Sequence, residues 1–229
     1  MNEWVLTPDK FLTKDELVTL LKNAESHRAR GVERGQRQPV KDWLLVRLAL
    51  LSGLRASELA DLKVVDCFVG YGRSEIVVRC GKNGKARVVK ISPDLKRDIR
   101  WYLKWKSDQD ELHPEAHLIR GHRKERVSRI ALWKRWKKLC PQHRLHDARH
   151  TNATMLYEAT TDLRFVQRQL GHSSPSITAI YADITDNKAR DGLAAMDRLM
   201  RHSVTESERP LVDGNLPSSP GRVVDVAVR

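Results

Sequence analysis

Apolar positions recur at helical spacing along most of the chain up to residue 202. In "TKDELVTLLKNA", Thr13 and Glu16 stand in capping-box register and Leu17, Leu20 and Leu21 follow on one face, which predicts a first helix beginning near residue 13. Residues 28–39, "RARGVERGQRQP", break the pattern with glycines, a proline and many charges and read as a solvated loop, so that the second helix follows Pro39. That helix, in "VKDWLLVRLALLSG", is apolar on most of its surface, with Trp43, Leu44, Leu48 and Leu51 on neighbouring faces. This places it in the core, with Gly53 where a helix C-terminal glycine belongs.

The period shortens in "EIVVRCGKNGKARVVKIS". Two β-rich runs, Ile76 to Cys80 and Arg87 to Ile91, flank Asn83-Gly84, a strong hairpin signal, and predict a sheet of two or three strands. Helical spacing then returns. "SPDLKRDIRWYLKW" opens with Ser92 as N-cap and Pro93 behind it, and "SRIALWKRWKKL" repeats Ile130, Leu132, Trp133 and Trp136 among basic residues. Further helices follow in "HDARHTNATMLYEA" and in "TDLRFVQRQLG", where Leu163, Val166 and Leu170 share a side and Gly171 stops the run. Ser174-Pro175 restarts a short helix that carries Tyr181. The fold class is mainly α with a small antiparallel β-sheet, an α+β domain without internal repeats. Residues 184–202 are helix-prone, with Leu193, Met196 and Met200 at helical spacing, and residues 203–229, with three prolines and scattered Ser and Gly, read as a disordered tail.

Charge narrows the function. Lys plus Arg number 42 against 29 Asp plus Glu, a formal charge of +13. The tail holds three basic and four acidic side chains, which leaves 39 basic against 25 acidic ones on residues 1–202. The excess lies on the folded part and points to a polyanion, with nucleic acid first. Cys67, Cys80 and Cys140 are widely spaced with no CxxC pair; they fit buried free thiols, not a disulfide framework or a cysteine-based zinc site. The start, "MNEWVLTPDK", has no apolar leader, and no run of about 18 apolar residues occurs, so a soluble, cytoplasmic protein with no membrane partner is expected.

Five places could carry chemistry, and each also has a plain structural reading. His146 and Arg149 in "HDARH" project from one helix face, where an imidazole and a guanidinium can meet one phosphate; alone, they fit a helix-start residue and a surface charge. Arg55 follows the helix stop at Gly53 and needs an anionic partner if buried, with Glu58 placed to orient it. Lys82 sits at a hairpin tip, where a lysine can reach a ligand or simply be exposed. His172 follows Gly171 at a turn, and Tyr181 is in isolation an ordinary core tyrosine.

Their order is more specific than any one of them. Arg55 in "GLRASEL", Lys82 in "GKNGK", "HDARHT", "LGHSS" and then Tyr181, nine residues after His172, resemble the tyrosine recombinase, or phage integrase, family. The resemblance runs from about Phe11 to Ile184. Ala148 and Asn152 depart from it, standing where the family has larger apolar residues, which loosens the expected packing of that helix.

The resemblance implies a catalytic-domain fold and six site residues: Arg55, Lys82, His146, Arg149, His172 and Tyr181. Tyr181 would attack a scissile phosphate and form a 3′-phosphotyrosyl bond. Arg55, Arg149 and His172 would bond the nonbridging oxygens, Lys82 would protonate the departing 5′ oxygen, and His146 would accept the tyrosine proton. No cofactor or metal enters this scheme, and His150 is read as structural. Residues 1–183 would be the catalytic domain and 184–202 a helix docking on a neighbouring protomer, in a short form similar to the fimbrial phase-variation recombinases. The partners implied are double-stranded DNA, further copies of the chain in a tetramer, and an accessory DNA-bending protein. A non-catalytic DNA-binding protein on the same scaffold and a type IB topoisomerase-like strand relaxer are the competing functions.

Overall fold

The computed structural model describes residues 10–79, 86–109, 112–121, 126–172 and 178–181, all within the unit Met1–Asp186. The segment Ser174-Pro175, the helix expected at 184–202 and the tail expected at 203–229 lie outside the described residues. The element order is α1 (Lys14–Glu33), α2 (Arg37–Ser52), α3 (Ala56–Asp61), a 3-10 turn (Val64–Asp66), β1 (Cys67–Phe68), β2 (Glu75–Val78), β3 (Arg87–Lys90), α4 (Pro93–Ser107), α5 (Arg129–Leu139), α6 (Leu145–Thr160) and α7 (Leu163–Leu170). Residues 178–181 form a further helical turn.

The first helix starts as its capping box requires: the Glu16 backbone N–H donates to Thr13 Oγ1 at 3.3 Å and the Thr13 N–H donates to Glu16 Oε2 at 2.8 Å. It does not stop at residue 28. α1 continues to Glu33 and α2 begins at Arg37, so the loop expected over 28–39 shrinks to residues 34–36. Gly31, which reads as a breaker, is a buried helical position against which α2 packs; a Cβ there would lie 2.6 Å from Pro39 Cβ. Pro39 sits in the first turn of α2, where its missing N–H forfeits no intrahelical bond.

α2 is the central element, with Trp43, Leu44, Leu48 and most of its neighbours buried. It ends at Gly53, whose φ of 63° is left-handed. A side chain there would also collide, because a Cβ would stand 2.5 Å from Asn152 Oδ1 and 2.7 Å from Leu170 Cδ2. Gly53→Ala therefore combines backbone strain with overpacking and is expected to cost about 2–3 kcal/mol, read from the urea midpoint at unchanged m. Asn152 is half satisfied: its side-chain amide donates to the Leu50 carbonyl at 2.9 Å, one of the orphan acceptors at the α2 terminus, while its Oδ1 is buried with no hydrogen-bond partner among the described residues.

The sheet is three-stranded and antiparallel in the order β1-β2-β3, with Ile76 opposite Val89 and Val78 opposite Arg87. Ile76, Val78 and Val89 are buried on one face, and Arg87, two residues before Val89, belongs to the same face. In α5 only half of the apolar set turns inward. Leu132 and Trp136 are buried, but Ile130 and Trp133 are 68% and 49% exposed, because four apolar residues over seven positions span more than one face of a helix. Of the thiols described, Cys140 is buried and Cys67 half-buried, both free. No helix among the described residues is long and apolar enough to cross a membrane.

Candidate active site

The site is built where two helices run out of hydrogen-bond donors. The last carbonyls of α2 and α7 have no intrahelical partner, and both helices end in left-handed glycines, Gly53 and Gly171, that leave those carbonyls open to approach. Arg149, on α6, spans both ends: one Nη donates to the Gly53 carbonyl and the other to the Leu170 carbonyl, each at 2.7 Å. Arg55, the N-cap of α3, donates to the next carbonyl, that of Gly171, at 3.1 Å. Two guanidiniums distant in sequence thus meet at adjacent carbonyls of one turn. The negative end of the α7 dipole favours them there.

Glu58 holds this cluster together from α3. Arg87 clamps its carboxylate with two bonds of 2.7 and 2.8 Å, Arg55 adds a third at 2.9 Å, and the Arg55 backbone N–H donates a fourth at 2.8 Å. Burial alone would raise the Glu58 carboxyl, but the Arg87 bonds, the Arg55 N–H and the Arg55 guanidinium outweigh it and hold the group at about 2. Arg87 Nε also donates to the Gln169 carbonyl at 3.2 Å. The Gln169 side chain pairs with both backbone groups of Lys90, extending the edge of β3 into α7. Strand β3, which leads out of the hairpin, is therefore pinned to the turn that carries His172. Three arginines against one carboxylate leave the cluster with net positive charge.

Tyr181 packs against that turn. Its ring packs with Ala153, Val166 and Leu170 in a small core of its own and is 1% exposed. The His172 ring stacks on it with centroids 6.3 Å apart and planes within 15°. Its hydroxyl shares a 2.8 Å hydrogen bond with His150 Nδ1. His172 is itself oriented by a 3.0 Å bond between Nδ1 and Thr178 Oγ1.

Burial pushes the Tyr181 phenol up to about 12, against the pull of the Arg149 charge. Burial pushes His150 and His172 down to about 3 each, reinforced at His172 chiefly by the Arg149 charge and at His150 by the adjoining His146 imidazole and then by Arg149. Burial followed by Arg55 brings the Arg149 guanidinium down to about 9, still charged at neutral pH. His146 is lowered by the burial of its packed side and by Arg149. It meets His150 edge-on, with ring centroids 4.6 Å apart, while its other side reaches solvent.

Of the six residues singled out by sequence, Arg55, Arg149, His146, His172 and Tyr181 fall in this one neighbourhood. Lys82 lies outside the described residues. Glu58 orients Arg55 as its spacing suggests. Two participants were missed. Arg87 reads as an ordinary first residue of a strand, and only tertiary structure brings it to Glu58. His150 did carry a signal, because it stands four residues after His146 on the same helix face. Among the described hydrogen bonds, the Tyr181 hydroxyl is joined to His150 and not to His146. No group of three or more His, Cys, Asp or Glu among the described residues could hold a metal ion.

Comparison with known proteins identifies the family. A family model described as "Phage integrase family" matches residues 10–188. The tyrosine recombinase XerA of Pyrococcus horikoshii is 34% identical over 189 residues, which cover 80% of this chain and 60% of that relative. The crystal structure of XerA recombinase superposes with a TM-score of 0.64 at 25% identity, covering 81% of this chain and 65% of that one. A post-cleavage complex of XerH site-specific recombinase with palindromic difH substrate gives a TM-score of 0.66 at 22% identity, covering 82% of this chain and 53% of that one, a likeness of fold. The chain thus spans less than two thirds of the length of each of these proteins.

Proposed function

Because the chain belongs to the phage integrase family, we propose that it is a site-specific DNA recombinase that cuts and rejoins strands through a 3′-phosphotyrosyl intermediate. The observation that carries this reading is the convergence of Arg55 and Arg149 on the adjacent carbonyls of Leu170 and Gly171, in the turn immediately before His172. A phosphoryl group in transfer gathers negative charge on its nonbridging oxygens. A fixed cationic cluster beside a phenolic oxygen is suited to that charge, and its hydrogen-bond donors need little reorganisation as the charge grows.

In this reading residues 1–183 are the catalytic unit. Tyr181 is the nucleophile, and Arg55, Arg149 and His172 bind the scissile phosphate, with His146 facing it from the solvent side of the Arg149 helix. Lys82 delivers a proton to the departing 5′ oxygen. The Tyr181–phosphorus bond forms as the phosphorus–O5′ bond breaks, so the bond energy is conserved for rejoining and no water is consumed. The substrate is double-stranded DNA, and two duplexes exchange strands within an assembly of four chains, residues 184–202 supplying the contact between neighbours. An accessory DNA-bending protein would bring distant sites together.

The test is incubation with nicked suicide duplexes taken from the DNA flanking its own coding sequence, in which the cleaved 5′ fragment diffuses away. A denaturation-resistant adduct is expected, and peptide mapping should find the nucleotide on Tyr181. Binding without an adduct would favour a non-catalytic DNA-binding protein. An adduct accompanied by supercoil relaxation and no joined products would favour a topoisomerase-like activity.

A further inference from the structure

The cleavage reaction must dispose of a proton. Tyr181 is neutral at working pH, and its oxygen cannot bond phosphorus and keep its hydrogen. The group already in hydrogen-bond contact with that oxygen is His150, 2.8 Å away. The two groups are enclosed, at 5% and 1% exposure, so bulk water has little access to compete for the proton. We propose, building on the recombinase reading, that His150 is a catalytic residue of this centre, with the Tyr181 hydroxyl donating to its Nδ1 and the proton passing to that nitrogen as the phenolic oxygen attacks.

The step balances. The oxygen–phosphorus bond forms, the phenolic proton moves to His150 and makes an imidazolium, the phosphorus–O5′ bond breaks, and the 5′ oxygen is protonated by the general acid assigned to Lys82. In rejoining, the 5′-hydroxyl returns its proton to Lys82 as it attacks the phosphotyrosine, the Tyr181–phosphorus bond breaks, and the proton on His150 returns to the phenol. A base must hold a free electron pair, and the surroundings of His150 preserve one. The groups acting on it are His146 and Arg149 on α6, His172 after α7, Lys10 before α1 and Tyr181 itself; burial, with the Arg149 and Lys10 charges and the neighbouring imidazoles, keeps the imidazole neutral far below pH 7. The phenol at about 12 and the imidazole at about 3 stand too far apart for the proton to leave first. It moves together with the attack, when the phenolic oxygen turns acidic and the DNA phosphate offsets the cations around His150. His146 is in ring contact with His150 and open to solvent, and among the described hydrogen bonds it makes none to the phenol.

NMR and single-turnover kinetics test this. Histidine nitrogen NMR of the whole chain, assigned through the His150→Asn variant, should show His150 as the Nε2–H tautomer with Nδ1 as acceptor; a proton resident on Nδ1 overturns the proposal whether or not the protein is active. Single-turnover adduct formation should be slowed about 10²-fold or more in His150→Asn, which keeps an acceptor near the Nδ1 position but cannot take up the proton, with DNA affinity unchanged within twofold. A 5′-bridging phosphorothiolate, whose leaving group needs no proton, should leave this defect in place while rescuing Lys82→Ala. The variant's rate should also climb about tenfold per pH unit from 7 to 9, where wild type is flat, because the phenolate must then form through solvent. A rate within threefold of wild type, or rescue by the phosphorothiolate, overturns the proposal. If His150→Asn fails to fold, His150→Gln is held to the same criteria. The wild-type adduct reports on the recombinase reading and the variant ratio on His150, so the two fail separately.

Discussion

Tyr181→Phe is expected to reduce covalent adduct formation below detection at every DNA concentration, with DNA binding retained. The change removes one oxygen and leaves the ring, which keeps its contacts with Ala153, Val166 and Leu170 and its stacking on His172. The cationic cluster is untouched because Arg55, Arg87 and Arg149 bond carbonyls and Glu58, not the phenol. What is lost in stability is the bond to His150, whose buried nitrogen then lacks that partner, at about 1–3 kcal/mol. Binding by filter retention and unfolding by urea should show both effects alongside the missing adduct. The chain has four tyrosines, which sharpens the test. Tyr71 is fully exposed, Tyr102 is buried and bonds the Leu118 carbonyl, and Tyr157 is half-buried on α6. An adduct that survives Tyr181→Phe and maps to one of these would remove Tyr181 as the nucleophile.

Much of this neighbourhood was legible from local chemistry. Thr13 with Glu16, Ser92 with Pro93, and the glycines at 53 and 171 each declare a helix end through a mechanism that acts within a few residues, and each is found where it was read. The proximity of Arg55, Arg149, His172 and Tyr181 was legible only through the order of their motifs, since nothing local to any of them specifies the others. Where the decisive contact is tertiary, reading failed. Gly31 looks like a breaker until Pro39 is seen against it, and Ile130 and Trp133 look buried until the helix chooses which face to turn inward. Asn152 reads only as a polar intruder until its amide meets the Leu50 carbonyl, though its Oδ1 stays buried without a partner among the described residues. Arg87 belongs to the same class, because its partners Glu58 and Gln169 come from α3 and α7, far along the chain in both directions.

That remote clamp makes Glu58 the most consequential carboxylate of the site. In Glu58→Ala the guanidiniums of Arg87 and Arg55 lose their shared partner while remaining largely enclosed, at 12% and 23% side-chain exposure. Removing one side of such a buried ionic bridge costs about 3–5 kcal/mol, most of it the uncompensated charge left behind. Unfolding at pH 7 should show a loss of this size, and Glu58→Gln, which keeps an acceptor, a smaller one. The pH dependence supplies an independent reading. The carboxyl stands at about 2 in the folded chain against an ordinary 4.5, so its stabilisation is fully present above pH 4.5 and is lost as pH falls from there through 2. The lowering corresponds to about 3 kcal/mol. Other carboxylates titrate in the same window, and the difference between wild type and Glu58→Ala isolates this one: large at pH 6, shrinking by about 3 kcal/mol by pH 2. A difference that stays constant with pH would mean that Glu58 contributes by packing and not by its charge. Adduct formation should fall as well, by about 10²-fold, since an Arg55 released from Glu58 no longer holds its guanidinium beside the Gly171 carbonyl, where the proposed phosphate contact is made. The Glu58→Gln variant separates the two effects, because it restores much of the fold while giving Arg55 and Arg87 an uncharged partner.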